Sequence, residues 1–136
     1  MGTILQKSSY LLANMSPSLN QVEMVFCCVP NFPDPNTIPV EPFAIIREDE
    51  GWTIILSRES ADVLDWSYEG VFCCITLQVN SSLEAVGLTA VVATELTKHS
   101  ISANVVAAFH HDHIFVPAER ANDALTCLQS IQRQHT

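Results

Sequence analysis

The tetrapeptide Val-Phe-Cys-Cys occurs twice, at 25–28 and at 71–74, and each copy begins two residues after a glutamate, Glu23 or Glu69. The copies lie 46 positions apart. Each sits in a stretch with the pattern of a β-strand. In 22–29 (VEMVFCCV), Val22, Met24, Phe26 and Cys28 share one face and Val25, Cys27 and Val29 the other, so this strand is expected to be central. In 69–79 (EGVFCCITLQV), Val71, Cys73, Ile75, Leu77 and Val79 alternate. A second pair of similar segments, WTIILSRESADVL and HIFVPAERANDAL, is offset by about 60 positions, as Glu59 is from Glu119. The two offsets differ by 14 residues, about the length of one helix. The chain therefore reads as two related modules, and the first lacks a helix that the second has between its first two strands.

The segments around the repeat fit that reading. Thr3-Ile4-Leu5-Gln6 has capping-box spacing, and Ile4, Ser8, Leu11, Leu12 and Met15 recur at helical spacing, which predicts a helix over roughly 4 to 15 that ends at Ser16-Pro17. PNFPDPNTIPVEP carries five of the seven prolines and can be neither a helix interior nor a central strand. FAIIREDEGWTIIL reads as a hairpin with a turn of three to five residues, and Ser57 can cap a short helix after it. In the second module, Ser81-Ser82-Leu83-Glu84 is a capping box, expected to open a helix with Ala85, Leu88, Val92 and Leu96 on one face. SANVVAAF and HIFV form a hairpin around His110-His111-Asp112. A last helix is expected from about Ala118, with Ala121, Ala124, Leu125, Leu128 and Ile131 as its apolar stripe. This order, β-α-β-β-α, is that of a split βαβ, ferredoxin-like unit. The expected fold class is α+β, with two βαββαβ-type modules in tandem at 1–67 and 68–136, antiparallel sheets, and helices on one face.

Charge narrows the partners. Six basic residues against fifteen acidic ones leave a net charge of −9, and Lys7, Arg47, Arg58, Lys98, Arg120 and Arg133 are scattered along the chain. Binding a phosphate backbone takes several converging cations, so no nucleic acid is expected as a partner. No long apolar run follows MGTILQKSSY, and Gln6 stands where myristoylation needs Ser or Thr, so neither a membrane nor a signal peptide is expected and the location is read as cytoplasmic.

The reactive side chains have plain readings beside the chemical ones. Neighbouring strand cysteines point to opposite faces, so neither Cys27-Cys28 nor Cys73-Cys74 can ligate one metal, and nothing nearby would lower a thiol pKa. His110-His111-Asp112-His113 is the most metal-like cluster, but a fourth ligand is missing and Asp suits a hairpin turn on conformational grounds alone; no metal and no cofactor are expected. No P-loop, GxGxxG or GxSxG motif is present, and no enzyme is expected. What remains is NSSLEAVGLTA, where a strand delivers the chain to a helix N-terminus with free amides, two serine hydroxyls, and Gly87 one turn in. Such a place suits a carboxylate, or it is simply a capped helix packed on the sheet.

The stretch VNSSLEAVGLTAVVATELTKHSISANVVAAFHHDHIFVP resembles the ACT-domain proteins, in particular small tandem-ACT proteins similar to aspartate kinase regulatory domains and to the cytosolic arginine sensor. The resemblance covers about 70 to 131 and extends over 1–66 through MSPSL and GWTIIL. It implies a non-catalytic regulatory module that binds a small amino acid and pairs as a homodimer or with a partner protein. The alternative is a ligand-free interaction scaffold of the same fold. Carried onto this chain, the ligand-binding positions it implies are Ser81, Ser82, Leu83, Val86, Gly87 and Asn104.

Overall fold

The computed structural model describes residues 4–80 and 87–136. Both capping boxes, at Thr3 and at Ser81–Glu84, fall wholly or partly outside them. The elements are α1 (Ile4–Ala13), β1 (Pro17–Val29), a 3-10 turn (Pro35–Thr37), β2 (Ala44–Glu48), β3 (Gly51–Ser57), α2 (Arg58–Val63), β4 (Phe72–Leu77), α3 (Leu88–Lys98), β5 (Asn104–Ala107), β6 (Asp112–Pro117), a second 3-10 turn (Ala118–Arg120) and α4 (Ala121–Gln134). They group into two compact units, 22–72 and 1–21 with 73–136.

In the unit 22–72 the strands run β2-β3-β1, antiparallel throughout, with Val25 opposite Leu56 and Cys27 opposite Ile54. The β2–β3 ladder closes at Glu48↔Gly51. Asp49 and Glu50 alone make the turn, which is tighter than the expected three to five residues. Gly51 has φ +146°, and a Cβ there would lie 2.7 Å from the Val29 carbonyl oxygen, so only glycine lets β3 start against the end of β1. Ser57 caps α2 as expected, its Oγ accepting the Ser60 amide at 3.2 Å. Val25, Cys27, Ile54, Leu56 and Ala61 form the core, and Ile38 joins it from the proline-rich segment. Full burial of an aliphatic side chain of this kind is worth about 1.5–3 kcal/mol. A single loop residue thus covers sheet that α2, with six residues, is too short to cover alone.

In the other unit the strands are ordered β4-β6-β5, and β5 and β6 pair with Val105 opposite Ile114 and Val106 opposite His113. Cys73, Ile75, Leu77, Ile114 and Val116 face the helices, which contribute Leu88, Val92 and Leu96 from α3 and Ala121, Ala124, Leu128 and Ile131 from α4. Leu11, Leu12 and Met15 of the α1 segment enter this same core. The Ser16 amide donates to the Gln132 side-chain oxygen (2.9 Å), and the Gln78 and Val79 amides donate to the Ser16 and Met15 carbonyls (3.4 and 3.3 Å). The compact units are therefore not coextensive with the chain-order halves 1–67 and 68–136. The apolar face of α1 finds its partners at the far end of the sequence.

Other boundaries also differ from the sequence reading. Strand β1 starts at Pro17, upstream of the VEMVFCCV pattern; its first five positions hold one large apolar residue, Leu19, too few to show as alternation. The last helix begins as one 3-10 turn at Ala118 and becomes α-helical at Ala121. The repeat itself is visible in burial: Ile54, Ile55 and Leu56 are 0, 0 and 1% exposed, and Ile114, Phe115 and Val116, offset by the same 60 positions, are 1, 0 and 0% exposed.

Candidate functional site

Helix α3 starts with Gly87 as its N-cap, at φ +104° and with no side-chain cap. The Val91 amide donates to the Gly87 carbonyl at 3.1 Å, the first bond of the helix. This corrects the expectation of Gly87 one turn inside a helix opened by Ser81 or Ser82. A backbone at φ +104° is one that residues with a Cβ adopt poorly and lies outside the helical region, so Gly87 marks where α3 begins. Ser81, Ser82, Leu83 and Val86 lie outside the described residues. Leu88, Val92 and Leu96 anchor the helix, and Lys98 in its last turn suits the negative end of the helix dipole. Ser100, at φ +58°, lets the Ile101 amide return to the Leu96 carbonyl (3.0 Å) and closes the helix in the Schellman manner.

Asn104 is the first residue of β5, and its side-chain nitrogen donates to the Phe115 carbonyl at 3.4 Å. Gly87 thus stands at the N-terminal end of α3, and Asn104 enters the sheet three residues beyond the bond that closes the C-terminal end. The helix between them has eleven residues and spans about 16 Å.

The histidine hairpin is also well defined. His111 and His113 have ring centroids 6.4 Å apart, His110 and His111 6.2 Å. His113 Nδ1 and Thr76 Oγ1 on β4 share a hydrogen bond of 2.8 Å. Burial, then the neighbouring His111, pull the His113 pKa below its ordinary value, while Asp112 opposes them. Among the described residues no group of three His, Cys, Asp or Glu side chains is placed to hold a metal ion.

Sequence reasoning missed a groove of about 450 Å³ between the end of α3 and α4, lined among others by Glu95, His99, Arg120, Asp123 and Cys127. Arg120 Nε donates to Asp123 (3.1 Å) and its terminal nitrogen to the His99 carbonyl (3.1 Å). Cys127 Sγ lies 3.7 Å from His99 Nδ1, but that nitrogen also meets the Glu95 carbonyl at 2.9 Å. Burial, then Glu95, raise the Cys127 pKa, which keeps it a thiol and not the thiolate a nucleophile needs. Cys27 is raised by burial and then by Asp62, and Cys74 is pushed up by burial to about 11. The i, i+4 spacing of Glu95 and His99 with the i, i+3, i+7 spacing of Arg120, Asp123 and Cys127 was the available signal for this groove.

A β-α-β-β-α unit with a glycine-opened helix after its first strand, preceded by a related unit, defines a tandem ferredoxin-like α+β protein. The chain belongs to the ACT-domain family: two family models described as ACT domain match it, over 6–73 and 70–130. A Vibrio cholerae protein of unknown function, called a possible transport protein, is 42% identical, with 96% of this chain and 99% of that one covered and a TM-score of 0.83. The ligand-free regulatory subunit of aspartate kinase from Thermus thermophilus is 10% identical, with 85% and 97% covered and a TM-score of 0.61. The Clostridium acetobutylicum aspartate kinase, an allosteric enzyme, is 6% identical, with 87% of this chain and 34% of that one covered and a TM-score of 0.61. These last two likenesses are of fold. No curated protein matches the chain. No helix among the described residues is long and apolar enough to cross a membrane.

Proposed function

We propose that this chain is a non-catalytic regulatory module that binds a small amino acid, working in the cytoplasm as a homodimer or on a partner protein, with 1–67 and 68–136 as its repeat units. The observation that carries the reading is the tandem ACT pair, whose second copy has a helix, α3, as the next described element after the VFCC strand. ACT domains are commonly regulatory and bind amino acids. In this reading the ligand carboxylate takes the first amides of α3 and the hydroxyls of Ser81 and Ser82, where the positive end of the helix dipole favours an anion. Leu83 and Val86 flank it, and Gly87 brings the backbone close. The amino group meets main-chain carbonyls, or the Asn104 side-chain oxygen of a second copy of the chain, because Asn104 of the same chain stands at the other end of α3.

A thermal-shift screen of the common amino acids tests this. A ligand that binds only the folded state adds about 2.7 kcal/mol at a hundredfold excess over its Kd. One small amino acid should raise the melting temperature, and Ser82→Ala should weaken the effect without changing the unliganded melting temperature. A flat response to every amino acid would leave the interaction scaffold as the better account.

A further inference from the structure

The net charge of −9 is not spread evenly over the chain. The segment 22–72 holds ten of the fifteen acidic residues, two of the six basic ones, Arg47 and Arg58, and no histidine, so it carries −8 of that charge. It also holds Val22, Phe32, Val40, Ile46 and Val63, five of the seven large apolar side chains exposed among the described residues. Two of the five come together. Val22, 49% exposed, and Val63, 68% exposed, line a groove of about 550 Å³, which Glu23, Arg58, Glu59 and Asp62 also line. Helix α2 shapes one wall. Its Ser60 and Ala61 are buried, which leaves Glu59, Asp62 and Val63, at i, i+3 and i+4, on its exposed face. The wall is braced by its own bonds: Arg58 Nε donates to the Tyr68 hydroxyl (3.2 Å), Arg58 Nη1 to Glu23 (3.3 Å), and the Tyr68 hydroxyl to Asp62 (2.8 Å). The one cation of the groove is thus paired with Glu23. Glu59 and Asp62, about one helical turn apart, take part in no ion pair among the described residues. Three carboxylates against one guanidinium leave the groove at −2. The fold does not require a valine at this place. Sixty positions on, in the related segment HIFVPAERANDAL, the residue is Asp123, which pairs with Arg120 at 3.1 Å.

We propose that this groove docks a basic amphipathic helix of a partner protein, with an apolar side chain of that helix seated between Val22 and Val63 and its Lys or Arg side chains, one turn apart, facing Glu59 and Asp62. Charge complementarity selects this occupant. A cationic helix is drawn to a unit that carries −8, whereas a second copy of the chain or an anionic surface is repelled by it. The two valines supply what charge alone does not, an apolar contact that excludes water from the flanking ion pairs. The proposal names the partner class for the partner-protein form of the functional reading above and rests on that form of it. It needs no bound amino acid.

Fluorescence anisotropy of the full chain with a labelled peptide of about 16 residues tests it. The peptide is built of Leu and Lys with leucines at i, i+3, i+4 and i+7, and its control has the same composition in scrambled order. The ordered peptide should bind about tenfold tighter or more than the scrambled one, and added salt should weaken it. Val63→Asp should weaken the ordered peptide about tenfold although it adds a negative charge, while Phe109→Ser, at the exposed Phe109 of the other unit, should leave binding unchanged. Equal affinity for the two peptides, undiminished binding by folded Val63→Asp protein, or equal weakening by Phe109→Ser would mean attraction to an acidic chain and no docking groove, and would overturn the proposal. If Val63→Asp does not fold, Val63→Ser takes its place, with weakened binding supporting the groove and undiminished binding ruling it out. No amino acid is present, so loss of peptide binding and loss of the thermal shift are separate results: the first removes the groove, the second the amino-acid site.

Discussion

Two glycines show how far one φ angle decides what a substitution does. Gly51 sits at φ +146° with the Val29 carbonyl oxygen 2.7 Å from where a Cβ would be, and a backbone oxygen cannot swing aside as a side chain can. Gly51→Ala should lose roughly 1–3 kcal/mol from backbone strain, with the contact adding to it, read as a lowered urea midpoint at unchanged m-value. Gly87 is the subtler case. A glycine inside a helix would make Gly87→Leu stabilising on propensity, and that is the outcome expected when the helix is taken to open at Ser81. At φ +104° the same change is strained and should destabilise by more than about 1 kcal/mol. A bulky residue at 87 would therefore perturb folding and ligand together, which is why Ser82→Ala is the cleaner probe of the site.

At the scale of elements, strands and helices with strong apolar periodicity are legible from the residues alone. Both VFCC strands, the two hairpins and the Ser57 cap stand where alternation and turn chemistry put them. What the pattern does not carry is the partner of an amphipathic face. Leu11, Leu12 and Met15 advertise a buried stripe, but nothing local says it packs with Leu128 and Ile131. The site was less legible than the fold. Gly87 and Asn104 were named as ligand positions, yet the capping pattern around Ser81 suggested an earlier helix start. The Thr76–His113 tie joins residues on different strands, so no sequence window contains it. The proline-rich segment is the clearest example of composition under-describing structure. It reads only as a loop, whereas Ile38 within it is 6% exposed and plugs the core of the unit 22–72. Ile38→Ala should thus cost about 2–5 kcal/mol, as removal of a core residue does, and not the few tenths of a loop change. Chemical denaturation of the two proteins side by side measures it.

Across the whole molecule, the two modules repeat the same plan but differ at the place that would hold a ligand. After β4 the chain comes to Gly87 and an eleven-residue helix. After β1, in the equivalent position, it comes to Pro35–Thr37, a three-residue turn whose N-cap is Asp34. Asp34 Oδ1 accepts the Asn36 amide at 3.0 Å, and its carbonyl accepts the Thr37 hydroxyl at 2.7 Å. Asp34 thus fills the amide end of this turn with the chain's own carboxylate, and a single 3-10 turn has almost no macrodipole to attract another anion. An amino acid bound by the second module should therefore have no counterpart in the first, and titration calorimetry with whichever amino acid raises the melting temperature should give one ligand per chain. Two equivalent sites per chain would mean that the first module binds by some route other than a strand-to-helix turn, and that the missing helix, the feature that most separates the two repeats, has no bearing on recognition.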